Sequence, residues 1–92
     1  FNAAPQWVCE VLSPSTFRID RVKKLPIYLR EKVEYVWLIE PAAKTLEIYQ
    51  RNENRWILLN TYSENDKIRA APFDAVEMDL GSLWLPDKLD AT

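Results

Sequence analysis

A chain of 92 residues makes one small domain, and its 48% of hydrophobic residues allows a real core and argues against intrinsic disorder. It contains no histidine, so the usual general base, the usual zinc ligand and the Ser-His-Asp triad are excluded, and any catalysis must use carboxylates, lysine and metal. The net charge of -2 gives no overall case for nucleic-acid binding, and neither a stretch of ~18 apolar residues nor a secretory leader is present, so we expect a cytoplasmic protein.

The first predicted element is a buried strand over Trp7–Leu12, an apolar run that ends at a turn rich in serine and proline. The only cysteine, Cys9, cannot form an internal disulfide and is expected to pack as a small hydrophobe in a reducing compartment. Strand alternation places Trp7, Cys9 and Val11 on one face and Val8, Glu10 and Leu12 on the other. One carboxylate, that of Glu10, therefore interrupts an otherwise apolar face.

An amphipathic helix is predicted after the turn, because apolar residues recur at spacings of three and four. These residues are Ile19, Val22, Leu25, Leu29 and Val33. Pro26 cannot donate a hydrogen bond to the carbonyl of Val22, so we expect the helix to be kinked, or split into two short pieces at Pro26.

A central strand and a half-buried strand are predicted next. The run Glu34–Glu40 is almost continuously apolar and is stopped by Pro41, which is typical of a strand covered on both faces. Thr45–Tyr49 alternates polar and apolar residues, which predicts an antiparallel strand with Leu46 and Ile48 facing the core.

The remaining sequence predicts a hairpin and short edge strands. Its loop is Arg51–Asn54, and Arg55–Tyr62 returns as a strand that carries Trp56, Leu58 and, as an open alternative, Ile57 and Leu59 into the core. Lys67–Arg69 and Ala75–Leu80 look like short edge strands around Pro72, and residues 81–85 close the domain. The expected fold is α/β, more specifically α+β: a mixed, largely antiparallel sheet with one crossing helix.

Glu10 is the first candidate site residue, because a carboxylate on an apolar strand face is costly to ionise without compensation. Mg²⁺ or Mn²⁺ would compensate its charge, and the neighbouring main-chain carbonyl of Val11 could complete a partial site. In the structural alternative, Glu10 lies near a sheet edge and is partly exposed to solvent, or it forms an ion pair with Arg18 or Lys24.

Lys24 is the second candidate, and Asp20 the third. They stand four residues apart, so on a helix they can form an ordinary ion pair. In the functional alternative, Lys24 points toward Glu10 and polarises a metal-bound water or the scissile phosphate. Lys23 competes with Lys24 for that role, and helical geometry alone does not separate the two.

A basic segment covers residues 17–32, where six basic residues stand against two acidic ones, a net charge of +4. With Phe17 and Tyr28 interleaved, this segment could contact phosphates, although such a run is more often a solvated helix face. The four tryptophans lie in different predicted elements, which favours core packing over a base-stacking platform.

A resemblance to a known family extends over nearly the whole chain. Trp7–Thr16, followed by Asp20–Tyr28, resembles the Uma-two family of restriction-endonuclease-like proteins, in the PD-(D/E)XK nuclease superfamily. The resemblance continues through Val33–Pro41, Thr45–Tyr49 and Pro72–Leu80. It implies a restriction-endonuclease-like fold and hydrolysis of DNA phosphodiester bonds with a divalent ion.

The resemblance also implies roles for single residues. Glu10 matches the acidic residue of the (D/E)XK element, a metal ligand, with the backbone oxygen of Val11 as the second contribution to the metal. Leu12 occupies the place of the usual lysine. The family moves that basic function onto the following helix, where Lys24 matches, with Asp20 one turn before it. Lys24 would then neutralise charge that develops during hydrolysis.

Two departures from the family pattern shape the expected domain. Pro5-Gln6 stands where an aspartate commonly follows the proline, and nothing in the sequence precedes Phe1, where the family has a further aspartate-bearing segment. Residues 1–92 are therefore expected to be the C-terminal part of a single nuclease-like domain with DNA as substrate, forming a homodimer and binding no membrane. The alternative is a catalytically inactive remnant that acts as a binding or oligomerisation module through exposed strand edges.

Overall fold

The protein is described by a computed structural model covering residues 7–84, with Phe17 described in its backbone only. The elements are β1 (Trp7–Val11), α1 (Phe17–Arg30), β2 (Tyr35–Glu40), β3 (Thr45–Asn52), β4 (Arg55–Ser63), β5 (Lys67–Ile68), β6 (Met78–Asp79) and a short 3-10 helix (Leu80–Trp84). The predicted α+β architecture, with a mostly antiparallel sheet and one crossing helix, is confirmed. No helix in residues 7–84 is long and apolar enough to cross a bilayer.

The main sheet has the strand order β1-β2-β3-β4. β1 runs parallel to β2, whereas β3 and β4 follow as antiparallel neighbours. A parallel pair cannot be joined by a tight turn, so α1 provides the crossover between β1 and β2 and lies over one face of the sheet. β5 and β6 form a separate two-stranded ribbon, shorter than the edge strands expected from the sequence, and Leu85 lies outside the described residues.

β2 is the centre of the fold because both of its faces are buried, as predicted. Val36 and Leu38 join the cluster that packs beneath α1, together with Leu12 and Val33. We call this the helix-side cluster. Trp37 and Ile39 face the opposite side, in a core with Leu46, Ile48, Ile68, Ala70, Leu80 and Trp84. The alternation of one strand therefore supplies both cores.

The orientation of α1 differs from the expectation. The helix is continuous through Pro26 rather than split. Ile19 and Val22 are exposed, Val22 by 74%, so the prediction that they line the core is wrong. The partly buried side instead carries Arg21, Lys24, Leu25 and Tyr28. The reason is electrostatic, since the sheet face beneath the helix carries carboxylates that attract its basic residues.

β4 is also less buried than expected. Its predicted core residues Ile57, Leu58 and Leu59 are exposed, Leu58 by 49%. Trp56 is half-buried against the helix-side cluster and donates its indole N–H to the carbonyl of Leu25 at 3.0 Å. β4 is the last strand of the main sheet within residues 7–84, and residues 57–61 in its middle are exposed. The hairpin loop shortens to residues 53–54, because β3 extends to Asn52 whereas β4 begins at Arg55 as predicted.

The remaining expectations concern single side chains. Cys9 is exposed, so the prediction that it packs as a hydrophobe is wrong. Trp37 and Trp84 are buried in the core, as predicted. Trp7 is exposed, so the expectation of core packing is wrong for this residue; its ring contacts Trp37 and Phe73 edge-on, with centroid distances of 5.3 and 5.1 Å.

The exposure of β4 leads to a first prediction. Leu58→Thr should change the free energy of unfolding by less than about 0.5 kcal/mol, because the side chain is half in water and threonine suits a strand. Urea denaturation measures this change. A loss of several kcal/mol would place Leu58 in a buried contact instead.

Candidate functional site

Three glutamates lie on the sheet face beneath α1. Glu10 of β1 is in register with Leu38 of β2, and Leu38 is in register with Glu47 of β3. Glu40 ends β2 two residues after Leu38, so alternation places it on the same face. Each of the three carboxylates is only partly exposed, and each meets a basic side chain of α1.

The first group of contacts is the Glu10 cluster, formed by Glu10, Lys24 and Tyr28. Lys24 donates from Nζ to Oε1 of Glu10 at 2.9 Å, and the hydroxyl of Tyr28 donates to Oε2. Lys24 and Tyr28 are four residues apart on the helix, so both reach the same strand residue from one face. The Glu10 side chain is 19% exposed and that of Lys24 43% exposed, so the cluster lies at the edge of the domain.

The protonation states of Lys24 and Tyr28 are fixed near neutral pH. The hydrogen bond to Glu10 and then the charge of Glu10 raise the pKa of Lys24 above its ordinary value. Burial, followed by the hydrogen bond to Glu10, raises the pKa of Tyr28 to about 12. Lys24 is therefore an ammonium and Tyr28 a neutral hydroxyl donor.

The second group is the Arg21 cluster, formed by Arg21, Glu40, Glu47 and Tyr49. Arg21 lies 3.1 Å from Glu40 and 2.6 Å from Glu47, and the hydroxyl of Tyr49 donates to Glu47 at 3.2 Å. The sequence reasoning missed this cluster because Glu47 alternates with Leu46 and Ile48 and so reads as a solvent-facing residue. Arg21 stands one turn before Lys24, so these ion pairs join the same part of α1 to the sheet.

The other predicted site residues lie apart from Glu10. Asp20 accepts a hydrogen bond from the hydroxyl of Thr16 at 3.0 Å, and within residues 7–84 no ion pair joins Asp20 to Lys24. Lys23 lies on the outer side of α1, beside Ile19 and Val22. Of the two candidate lysines, Lys24 is thus the one that contacts Glu10. Pro5 and Gln6 lie outside the described residues.

Leu12 and Val11 follow Glu10 in the chain and differ sharply in burial. Leu12 is buried in the helix-side cluster, so a lysine at this position would place its ammonium among Val33, Val36 and Leu38. The basic side chain that contacts Glu10 is instead Lys24 of α1. Val11 ends β1 with an exposed side chain, next to Glu10.

The oxygen atoms of the Glu10 cluster can be compared with the ligands that a divalent cation requires. No group of three Asp, Glu, Cys or His side chains within residues 7–84 could hold a metal ion. An ionised carboxylate has about four lone-pair positions, and Lys24 and Tyr28 use two of those on Glu10. Mg²⁺ binds through one or two carboxylates together with water and phosphate oxygens. Glu10 therefore suits Mg²⁺ as one oxygen ligand, and further ligands are needed to complete a site.

Comparisons with known proteins identify the fold and the family of this chain. A crystal structure described as "a putative nuclease belonging to DUF820", from Anabaena variabilis ATCC 29413, has the same fold, with a TM-score of 0.61 and 21% sequence identity. The alignment covers 91% of this chain and 46% of that chain, so the present chain spans about half its length. No curated protein matches. Residues 1–81 match the model of the family Uma2, described as "Putative restriction endonuclease", which confirms the resemblance seen in the sequence. The chain belongs to the Uma2 family.

Proposed function

We propose that this chain is part of a divalent-metal-dependent endonuclease that hydrolyses phosphodiester bonds of DNA, and that the Glu10 cluster is part of its active site. The observation that supports this proposal most directly is the contact between Glu10 on a strand and Lys24 on the following helix. Enzymes that act on phosphate esters use a partly buried carboxylate beside an ammonium. The carboxylate holds a cation, and the ammonium stabilises negative charge. The family match and the likeness in fold support the same reaction class.

Lys24 has the properties expected of a group that stabilises charge on a phosphate. Its pKa is raised, so it carries a full positive charge, and 43% of its side chain is exposed and therefore accessible to a substrate. When a phosphate approaches, Lys24 can donate to it while Tyr28 continues to hold Glu10. Lys24 would then neutralise the charge that develops on the phosphate oxygens.

Glu10 is proposed as the metal ligand of this chain, with the backbone carbonyl of Val11 beside it. A bound Mg²⁺ or Mn²⁺ would supply activation of water and polarisation of the phosphate. The other oxygen ligands would come from outside the described residues. Asp20 takes a supporting role in this proposal, because its charge is one of the influences that raise the pKa of Lys24.

The outer surface of α1 is proposed to face the DNA backbone. Arg18 and Lys23 are exposed there, within the basic segment 17–32. Contacts of this kind add affinity without sequence information and weaken with salt. The homodimer and the cytoplasmic location expected from the sequence stay predictions.

The test of this proposal is DNA cleavage by the complete protein that carries this chain. We expect supercoiled plasmid to be nicked or linearised with Mg²⁺ or Mn²⁺ and to stay intact with EDTA, because phosphodiester hydrolysis of this type depends on the ion. Glu10→Gln, purified in parallel, controls for contaminating nucleases. Protein that binds DNA but leaves it intact with either ion would overturn the proposal and favour the inactive binding module.

A further inference from the structure

The carboxylate of Glu10 is held from two directions by two different donors. Lys24 occupies Oε1 and Tyr28 occupies Oε2, so neither oxygen can rotate away without losing a hydrogen bond. A carboxylate that receives one donor on each oxygen has its plane fixed. Sequence reasoning assigned Tyr28 only to a possible phosphate contact, so this role comes from the geometry.

The two donors differ in how firmly they are placed. The Tyr28 ring packs against the helix-side cluster, which includes Val36 and Leu38. A tyrosine ring has only two rotatable side-chain bonds, so this packing places its hydroxyl closely. Lys24 reaches Glu10 through a flexible stem, and its side chain is 43% exposed. Tyr28 is therefore the rigid donor of the pair.

We infer that Tyr28 is a positioning residue, whose hydroxyl holds the Glu10 carboxylate in the orientation that binds a divalent cation and leaves Lys24 free to turn toward a phosphate. This inference rests on the proposed function, since it needs Glu10 to be a metal ligand. Residues that hydrogen-bond to metal ligands without touching the metal orient those ligands, and their loss weakens metal affinity or activity about 10- to 100-fold.

The chain offers a matched control in Tyr49. Both tyrosines pack against the helix-side cluster, and both donate a hydroxyl to a glutamate of the same sheet face. The partner of Tyr49 is Glu47, which Arg21 already holds at 2.6 Å and which has no part in the proposed metal site. Removing either hydroxyl therefore makes a similar structural change, but only the removal from Tyr28 takes a hydrogen bond from Glu10.

The experiment is a Mn²⁺ titration of the complete protein, in which electron paramagnetic resonance measures the free ion. We expect Tyr28→Phe to raise the Kd for Mn²⁺ about 10-fold or more, and Tyr49→Phe to leave it within about twofold of wild type. Glu10→Gln should abolish the binding. In cleavage assays Tyr28→Phe should require more Mn²⁺ for half-maximal rate and should recover most of the wild-type kcat at saturating Mn²⁺, because phenylalanine keeps the packing.

The possible results separate this inference from the proposed function. If Glu10→Gln loses Mn²⁺ while Tyr28→Phe binds it as wild type does, the positioning role is overturned and Glu10 keeps its function. If Tyr28→Phe and Tyr49→Phe weaken binding equally, the effect is general and the positioning role is again overturned. If wild type binds no Mn²⁺, or Glu10→Gln binds it equally well, the metal role of Glu10 fails and both proposals fall.

Discussion

Glu10→Gln and Lys24→Met should each lower the rate of metal-dependent DNA cleavage by about 10²- to 10³-fold, the usual effect of removing one group that stabilises transition-state charge. Gln keeps the shape of the side chain but loses the charge that would attract the cation. Met keeps most of the Lys24 stem but has no ammonium. Because the two side chains contact each other, we expect the double variant to be little slower than either single variant.

Lys23→Met is the matched control for this prediction. It removes the same charge from the same helix one residue earlier, where the side chain points away from Glu10. Its cleavage rate should stay within about threefold of wild type at low salt and converge on it as salt rises, because an exposed lysine contributes only screened attraction. The measurement is the initial rate of plasmid nicking at saturating Mg²⁺. Equal losses for Lys23→Met and Lys24→Met would show that general charge, rather than the Glu10 cluster, carries the effect.

The strands of this fold could be predicted from the sequence because their patterns reflect burial directly. The uninterrupted apolar run of β2 is buried on both faces, and the alternation around Leu46 and Ile48 places both in the core. The prediction that β4 is buried was wrong for the reverse reason. Its apolar run is typical of a buried strand, but β4 is the last strand of the main sheet within residues 7–84, and Ile57, Leu58 and Leu59 are exposed.

The face of α1 could not be read from apolar spacing, because the helix packs on a sheet face that is partly charged. Ile19 and Val22 continue the apolar period, yet Arg21 and Lys24 take the inner side, where Glu10, Glu40 and Glu47 lie. These three carboxylates lie on different strands, so predicting that they come together requires the strand order of the sheet. The contact between Lys24 and Glu10 was anticipated from the family resemblance and as a pairing alternative. The contacts that Tyr28 and Arg21 make with these glutamates could not be predicted without the strand order of the sheet.

Arg21→Met should lower the free energy of unfolding by about 2 kcal/mol, a typical loss when a charged hydrogen-bond donor is removed from partly buried acceptors. The substitution leaves Glu40 and Glu47 beneath the helix without the cation that both contact, whereas the Met side chain preserves much of the apolar packing of the arginine stem. Urea denaturation measures the change, and Lys23→Met on the outer face should cost less than about 0.5 kcal/mol. In a double-mutant cycle Glu47→Gln should recover part of the lost stability, because it removes one of the two carboxylate charges left without Arg21. If Arg21→Met costs no more than Lys23→Met, the ion pairs do not fix α1 on the sheet. The position of Lys24 over Glu10 would then have to come from the packing of Leu25 and Tyr28 alone.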